Sequence, residues 1–320
     1  MSDQPQPSPR ALELVRGGYD LHVHVNPDVL ERRIDDLALA RRCRDLGLAG
    51  FVLKSHYVPT AERAAVVAAA VPGVEVLGAI TLNAAVGGIN PVAVEIAARE
   101  GARFVWLPTV DSRNQRQAPA AAQAGAKPPM WARLQAELGR QGILSPAVEV
   151  LGGDGALTQA ALEVLRLVAR HDLVLATGHL ARDEIFAVVD AAADAGVRRV
   201  VVTHPEFPSQ LLAVDDQREL AARGAWLERC FTTPHTGKCT WEEVFAAVRG
   251  ASVARSFFSS DLGQPFNPPV EDGLALMADR FLAAGFSEEE VHRMAVSNTT
   301  ALASAGQPAG GPAAHGAADA

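Results

Sequence analysis

Short apolar runs with strand character recur about eight times between Tyr19 and Ser260, each followed by a stretch of helical spacing. This alternation constrains the chain more than any other feature. The runs are 19–25, 51–56, 74–82, 103–107, 173–177, 199–203, 225–230 and 256–260. A helix after every strand returns the chain to the same end of the sheet, so successive strands run parallel. Helix signals mark the intervals: Asn90-Pro91 supplies a cap and a proline at the first helical position, and Thr240/Glu243 and Ser287/Glu290 have the spacing of capping boxes. About eight units over this length predict an α/β fold, a closed (β/α)8 TIM barrel, rather than an open doubly wound sheet. No glycine fingerprint or Walker loop marks a nucleotide-binding turn.

The rhythm breaks once, after the fourth strand. Residues 111–157 are rich in Ala, Gln and Pro, with helical spacing over Met130–Gly139 and a hairpin pattern over 143–157 turning on Gly152-Gly153-Asp154-Gly155. An insertion of this length reads as a lid. The barrel domain is expected over 16–304, between a polar, proline-rich arm (1–15) and an Ala/Gly/Pro tail (305–320), both expected to be disordered. With 48% hydrophobic residues the chain can bury a large core. Its 29 Lys and Arg against 37 Asp and Glu leave a net charge of -8, which disfavours a nucleic-acid partner. Cys43, Cys230 and Cys239 lack Cys-x-x-Cys spacing, so neither a disulfide framework nor a zinc ribbon is expected, and a reducing cytoplasm is the simplest location. The longest apolar window, 64–82, is interrupted by Pro72, Gly73 and Glu75, so no membrane partner is expected. The partner expected is a small-molecule substrate, with homo-oligomerisation the common state of soluble enzymes.

Polar residues that packing does not explain gather at the strand ends. His22 and His24 alternate on the first strand and so share a face, with Leu21, Val23 and Val25 opposite. Lys54 and His56 end the second strand, His179 follows the fifth, His204-Pro205-Glu206 the sixth, Glu228 lies on the seventh, and Asp261 follows the eighth. Each alone is an ordinary turn or capping residue. In a barrel, however, all these ends meet at one mouth, where four imidazoles and a carboxylate make a metal centre. That donor set suits zinc, with manganese, iron or nickel as alternatives.

Asp20-Leu21-His22-Val23-His24, His179, His204 and Asp261 together resemble the ligand pattern of the amidohydrolase superfamily of metal-dependent hydrolases, and the segment 296–301 resembles its asparagine-containing C-terminal helix. The resemblance implies one or two divalent ions per chain. His22, His24 and Asp261 would hold the more buried ion, and His179 and His204 the more exposed one. Two-metal members often bridge the ions with a carboxylated lysine on strand four, but here that strand reads Phe104-Val105-Trp106-Leu107-Pro108-Thr109. Lys54, in phase with His56 and flanked by apolar residues, is the replacement candidate as a carbamate; Glu228 is a weaker one. Asp261 is expected to move the proton of the attacking water, with His56 as a proton donor on the substrate side or a supporting partner. His235, Lys238, Gln264, Asn267 and Glu228, with Arg113, Asn114 and Gln115 from the insertion, are candidate substrate contacts. The expected reaction is hydrolysis of an amide, lactam, imide or ester/lactone, with decarboxylation or phosphoester hydrolysis as alternatives and a non-enzymatic binding scaffold as a third.

Overall fold

A computed structural model describes residues 4–117 and 129–306. Eight parallel strands form one sheet in chain order: β1 (Tyr19–Val23), β2 (Gly50–Leu53), β3 (Glu75–Thr81), β4 (Ala102–Trp106), β5 (Val174–Ala176), β6 (Arg199–Val202), β7 (Trp226–Cys230) and β8 (Ser256–Ser259). The sheet closes on itself through the residues just beyond β8. Asp261 N–H donates to His22 O and His24 N–H to Leu262 O, both at 2.8 Å. The expected (β/α)8 barrel is therefore the observed one.

Around the strands run α1 (Pro9–Leu14), α2 (Asp36–Leu46), α3 (Ala61–Ala70), α4 (Pro91–Arg99), α5 (Arg113–Gln117), α6 (Met130–Arg140), α7 (Gln159–Arg170), α8 (Arg182–Asp194), α9 (Val214–Ala222), α10 (Thr232–His235), α11 (Trp241–Gly250), α12 (Gly273–Ala283), α13 (Glu288–His292) and α14 (Asn298–Ala303). No helix among the described residues is long and apolar enough to cross a membrane. Both capping boxes form, at Thr240/Glu243 and Ser287/Glu290.

The core has two layers. Inside the barrel, Leu21, Val52, Leu77, Ala79, Phe104, Trp106, Val174, Ala176, Val201 and Phe257 pack into one plug, while alternate strand residues such as Phe51, Leu53, Val105, Leu175 and Leu227 face the helices. The plug fills the lower barrel and leaves the upper end to polar side chains. At the other end Leu302, Ala303 and Ala305 join the plug, and Asn298 Nδ2 donates to Ser256 O at 2.7 Å, tying the last helix to the start of β8.

Several expectations need correction. The arm expected to be disordered contains α1, capped by Ser8 and tied down where Ser8 Oγ and N–H donate to the Asp279 carboxylate at 2.6 and 2.7 Å, with Ala11 fully buried. Residues 1–3 and 307–320 lie outside the described residues, as does 118–128 within the insertion. The hairpin over 143–157 is a single antiparallel bridge, Leu151 to Leu157, because the glycine-rich turn leaves too few paired residues to make strands. Strict alternation in β1 also fails. Asp20 pairs with Phe51 and Val23 with Leu53, so three steps on β1 match two on β2. This bulge re-aims one side chain: Leu21 joins the interior plug with the histidines, and only Val23 and Val25 face outward.

Two glycines let the strand ends approach. A Cβ on Gly178 (φ +61) would stand 2.3 Å from Leu107 O, and one on Gly263 (φ +141) would stand 1.7 Å from His24 O. Gly263→Ala is expected to lower the unfolding free energy by about 3 kcal/mol. Gly139→Ala in α6, where an added Cβ meets nothing within 4 Å, should be neutral or stabilising by roughly 0.5–1 kcal/mol. Urea denaturation of both variants checks this, and equal midpoint shifts would contradict the close approach at the seam.

Candidate active site

The upper end of the barrel opens into a cavity of about 550 Å³ whose wall includes His24, Lys54, His56, His179, His204 and Asp261. Strand ends supply all six, as the sequence led one to expect. The start of α6, Pro129 to Trp131 with Arg133, forms part of the same wall.

Two groups of donor atoms among the described residues could hold a metal ion, His22 with Glu228 and Cys230, and His22 with His24 and Asp261 at the barrel seam. His22 Nε2 and His24 Nε2 stand 3.2 and 3.3 Å from one oxygen of Asp261, Oδ1, and the three donor atoms lie within 4.8 Å of one another. Ligand atoms about 2.1 Å from a tetrahedral ion stand about 3.4 Å apart, so two edges of this triangle have the length a divalent cation requires. The donor chemistry fits as well, being two imidazoles and one carboxylate. Asp261 adopts φ +52, a left-handed conformation uncommon for residues other than glycine and most accessible to Asp and Asn. Its Oδ2 accepts from Thr232 Oγ1 at 2.9 Å, which orients the second oxygen toward the cavity side of α10. Burial would raise this carboxyl's pKa, but the His22 and His24 imidazoles beside it win and hold it well below the usual carboxylate range.

Behind the trio, Glu228 Oε1 lies 3.0 Å from His22 Nδ1 and accepts from Ser259 Oγ at 2.9 Å. A carboxylate opposite Nδ1 holds the proton there and frees the Nε2 lone pair for an ion. Glu228, expected as a bridge or substrate contact, is thus buried beneath His22 and outside the cavity wall.

Lys54 is almost fully buried, its Nζ 2.8 Å from His22 Nε2 and 5.1 Å from the centre of the Trp106 ring. Burial pushes its pKa down, against the pull of Asp261 and Glu228. Trp106 on β4 forms the floor beneath both Lys54 and His22.

His179 and His204 face each other with ring centres 5.0 Å apart, and Phe207 packs on both. His204 also lies alongside His22, ring centres 6.2 Å apart, and carries the strained φ of +26. Burial lowers its pKa to about 4, leaving a neutral imidazole at neutral pH. The pair stands beside the compact trio rather than inside it. His56 lies against His24, with ring centres 4.8 Å apart, and its Nδ1 is 2.9 Å from Thr109 Oγ1. Burial and then the neighbouring His24 keep the His56 pKa well below its ordinary value.

The loop residues divide. Lys238 lines the cavity with its Nζ 4.6 Å from the centre of the Phe207 ring. Gln264 and Asn267 also line it, but Asn267 Nδ2 donates to Gln264 Oε1 at 2.7 Å and Gln264 Nε2 donates to Asp261 O at 3.3 Å. These bonds tie the two cavity-lining amides to the Asp261 backbone. His235 stacks on Phe231 at 4.8 Å, outside the cavity wall, because the turn of α10 carries it toward the α11 side. From the insertion, Gln115 Oε1 lies 2.9 Å from His179 Nδ1, Asn114 donates to His179 O, and Arg113 pairs with Glu184. The insertion therefore supports the wall. Thr109, Asn83 bonded to it and Arg32 in the cavity wall carry no expectation from the sequence. For Thr109 a signal existed, since it lies just beyond the end of the fourth strand; Arg32 sits in an irregular loop that carries none.

The family model described as "Family of unknown function (DUF6282)" matches residues 17–228. No curated protein sequence matches the chain. Among solved structures it is similar to an amidohydrolase from Pseudomonas aeruginosa (11% identity, 93% of this chain and 99% of that one, TM-score 0.59). It is also similar to a probable dipeptidase from the same organism (10% identity, 94% and 99%, TM-score 0.61). A third is a protein described as a 2-pyrone-4,6-dicarboxylic acid hydrolase from Pseudomonas putida (16% identity, 89% and 97%, TM-score 0.54). At these identities the likeness establishes the fold alone, a (β/α)8 barrel shared with these hydrolases.

Glu228→Gln is expected to keep the fold and to weaken zinc binding by about 10–100-fold, measured by competition with a chromophoric chelator. Unchanged affinity would remove Glu228 from support of the site.

Proposed function

The chain belongs to the family of unknown function DUF6282, and from that premise and its amidohydrolase-type barrel we propose that it is a metal-dependent hydrolase of small molecules. The observation that carries the proposal is the triangle of His22 Nε2, His24 Nε2 and Asp261 Oδ1 at the open end of the barrel. Those three residues would hold a divalent ion, zinc by its preference for imidazole and carboxylate, which would supply an activated water and polarise a substrate carbonyl.

The residues around it supply the rest. Asp261, held ionised, accepts the proton of the attacking water and returns it to the leaving group, with Thr232 keeping Oδ2 in line. His179 and His204 offer a second pair of donors across the cavity. Lys54, with a lowered pKa and its Nζ against His22, is suited to add carbon dioxide with loss of a proton and to join the two halves as a carbamate. Lys238 on the Phe207 face is the cation suited to hold a substrate carboxylate or carbonyl, and the α6 end of the insertion acts as a lid. The bond cleaved is an amide, lactam, imide or ester/lactone. The named relatives support both sides of that range, one being a probable dipeptidase and another described as the hydrolase of a pyrone dicarboxylic acid.

A panel of amides, lactams, imides and lactones should yield at least one substrate whose hydrolysis stops on dialysis against a chelator and returns with a divalent ion. Asp261→Asn should lower kcat on it by about 10²–10⁴-fold. Activity that survives the chelator, or an Asp261→Asn variant with wild-type kcat, would overturn the reading.

A further inference from the structure

The hydrogen bonds behind His56 determine which of its nitrogens carries the proton. Asn83 Oδ1 accepts from two backbone N–H groups, Thr109 at 2.8 Å and Asp111 at 3.3 Å. That settles which end of the amide is nitrogen. Nδ2 then donates to Thr109 Oγ1 at 2.7 Å and to His56 O at 3.0 Å. Thr109 is fully buried, its hydroxyl receives the Asn83 N–H on a lone pair, and its single hydrogen still needs an acceptor. Among the described residues the other hydrogen-bond partner of that oxygen is His56 Nδ1, 2.9 Å away. Leaving the hydroxyl hydrogen unpaired would cost about 1–3 kcal/mol. The Thr109 hydroxyl therefore donates and Nδ1 accepts, which leaves the imidazole neutral with its proton on Nε2. Nε2 has no protein partner among the described residues, and the ring lines the cavity next to His24.

We propose that His56 is a preset neutral hydrogen-bond donor whose Nε2–H holds the substrate oxygen that gains charge during bond cleavage, with Thr109 and Asn83 as positioning residues that lock its tautomer. The assignment of that oxygen rests on the hydrolytic reading; the tautomer does not. A donor locked in this way stabilises charge where it develops. It also changes the expected role of His56, since a ring whose Nδ1 is engaged as an acceptor holds its Nε2 proton and takes no part in shuttling protons from solvent.

The test is long-range proton–nitrogen correlation NMR on the full chain labelled with nitrogen-15 histidine. The chain has nine histidines, and His56 is assigned by the signals lost in His56→Gln. The wild type is expected to show an unprotonated Nδ1 and a protonated Nε2 at neutral pH. Thr109→Val should lose that pattern and give mixed or reversed tautomers, while Thr109→Ser restores it. A wild-type proton on Nδ1, or a doubly protonated ring, would overturn the proposal, and an unaltered pattern in a folded Thr109→Val would overturn the role of Thr109. Should Thr109→Val fail to fold, the wild-type spectrum alone decides the tautomer. No substrate enters the measurement, so its failure is separate from any failure of the hydrolase reading.

Discussion

The seam where the end of β8 returns to β1 is the constraint on which the rest depends. Two backbone hydrogen bonds, Asp261 to His22 and His24 to Leu262, close the barrel and at the same time position the donor residues. Ser260 N–H adds a third tie, donating to Asp20 Oδ1 at 3.0 Å. Because the chain must turn sharply after closing, Asp261 takes a left-handed backbone and Gly263 presses against the His24 carbonyl. Those same distortions bring one carboxylate oxygen between two imidazoles. The residues that close the sheet are also the ones that bring these side chains together.

The layering of the interior explains how such a site is tolerated. A fully apolar plug occupies the lower barrel, and Trp106 forms its upper surface beneath Lys54 and His22. Above it lie buried ionisable groups, Lys54, Glu228 and the histidines. Taking charges out of water is expensive, and replacing such groups with packed apolar residues often stabilises a fold. The hydrogen bonds to Glu228, Thr109 and Gln115 offset part of that cost by giving three of the ring nitrogens a partner. The remainder is a cost that the proposed chemistry would account for, and His204 and Asp261 at the same place both have positive φ.

Much of this was legible in the residue order. Strand and helix periodicity predicted the barrel, and barrel topology then implied that His22, His24, His179, His204 and Asp261 would meet, since all follow or end strands. Side-chain partners were less accessible. Glu228 reads as a strand-end carboxylate, but its in-phase position one layer lower sends it behind His22. Gln264 and Asn267 read as free loop amides, while their spacing of three lets them bond to each other. The bulge in β1 has no marker, since neither a glycine nor a proline interrupts Tyr19–Val23. The N-terminal helix was hidden by a proline-rich composition, although Ser8-Pro9 is itself a cap followed by a proline at the first helical position.

The central claim is that the seam assembles a metal centre. It is tested most directly by metal content per chain, measured on protein purified without chelator, for the wild type and for His24→Ala of matching circular dichroism. The account predicts at least one equivalent of a divalent ion in the wild type and its loss in the variant. A wild type that stays metal-free after reconstitution, or a variant that retains its full complement, would contradict it.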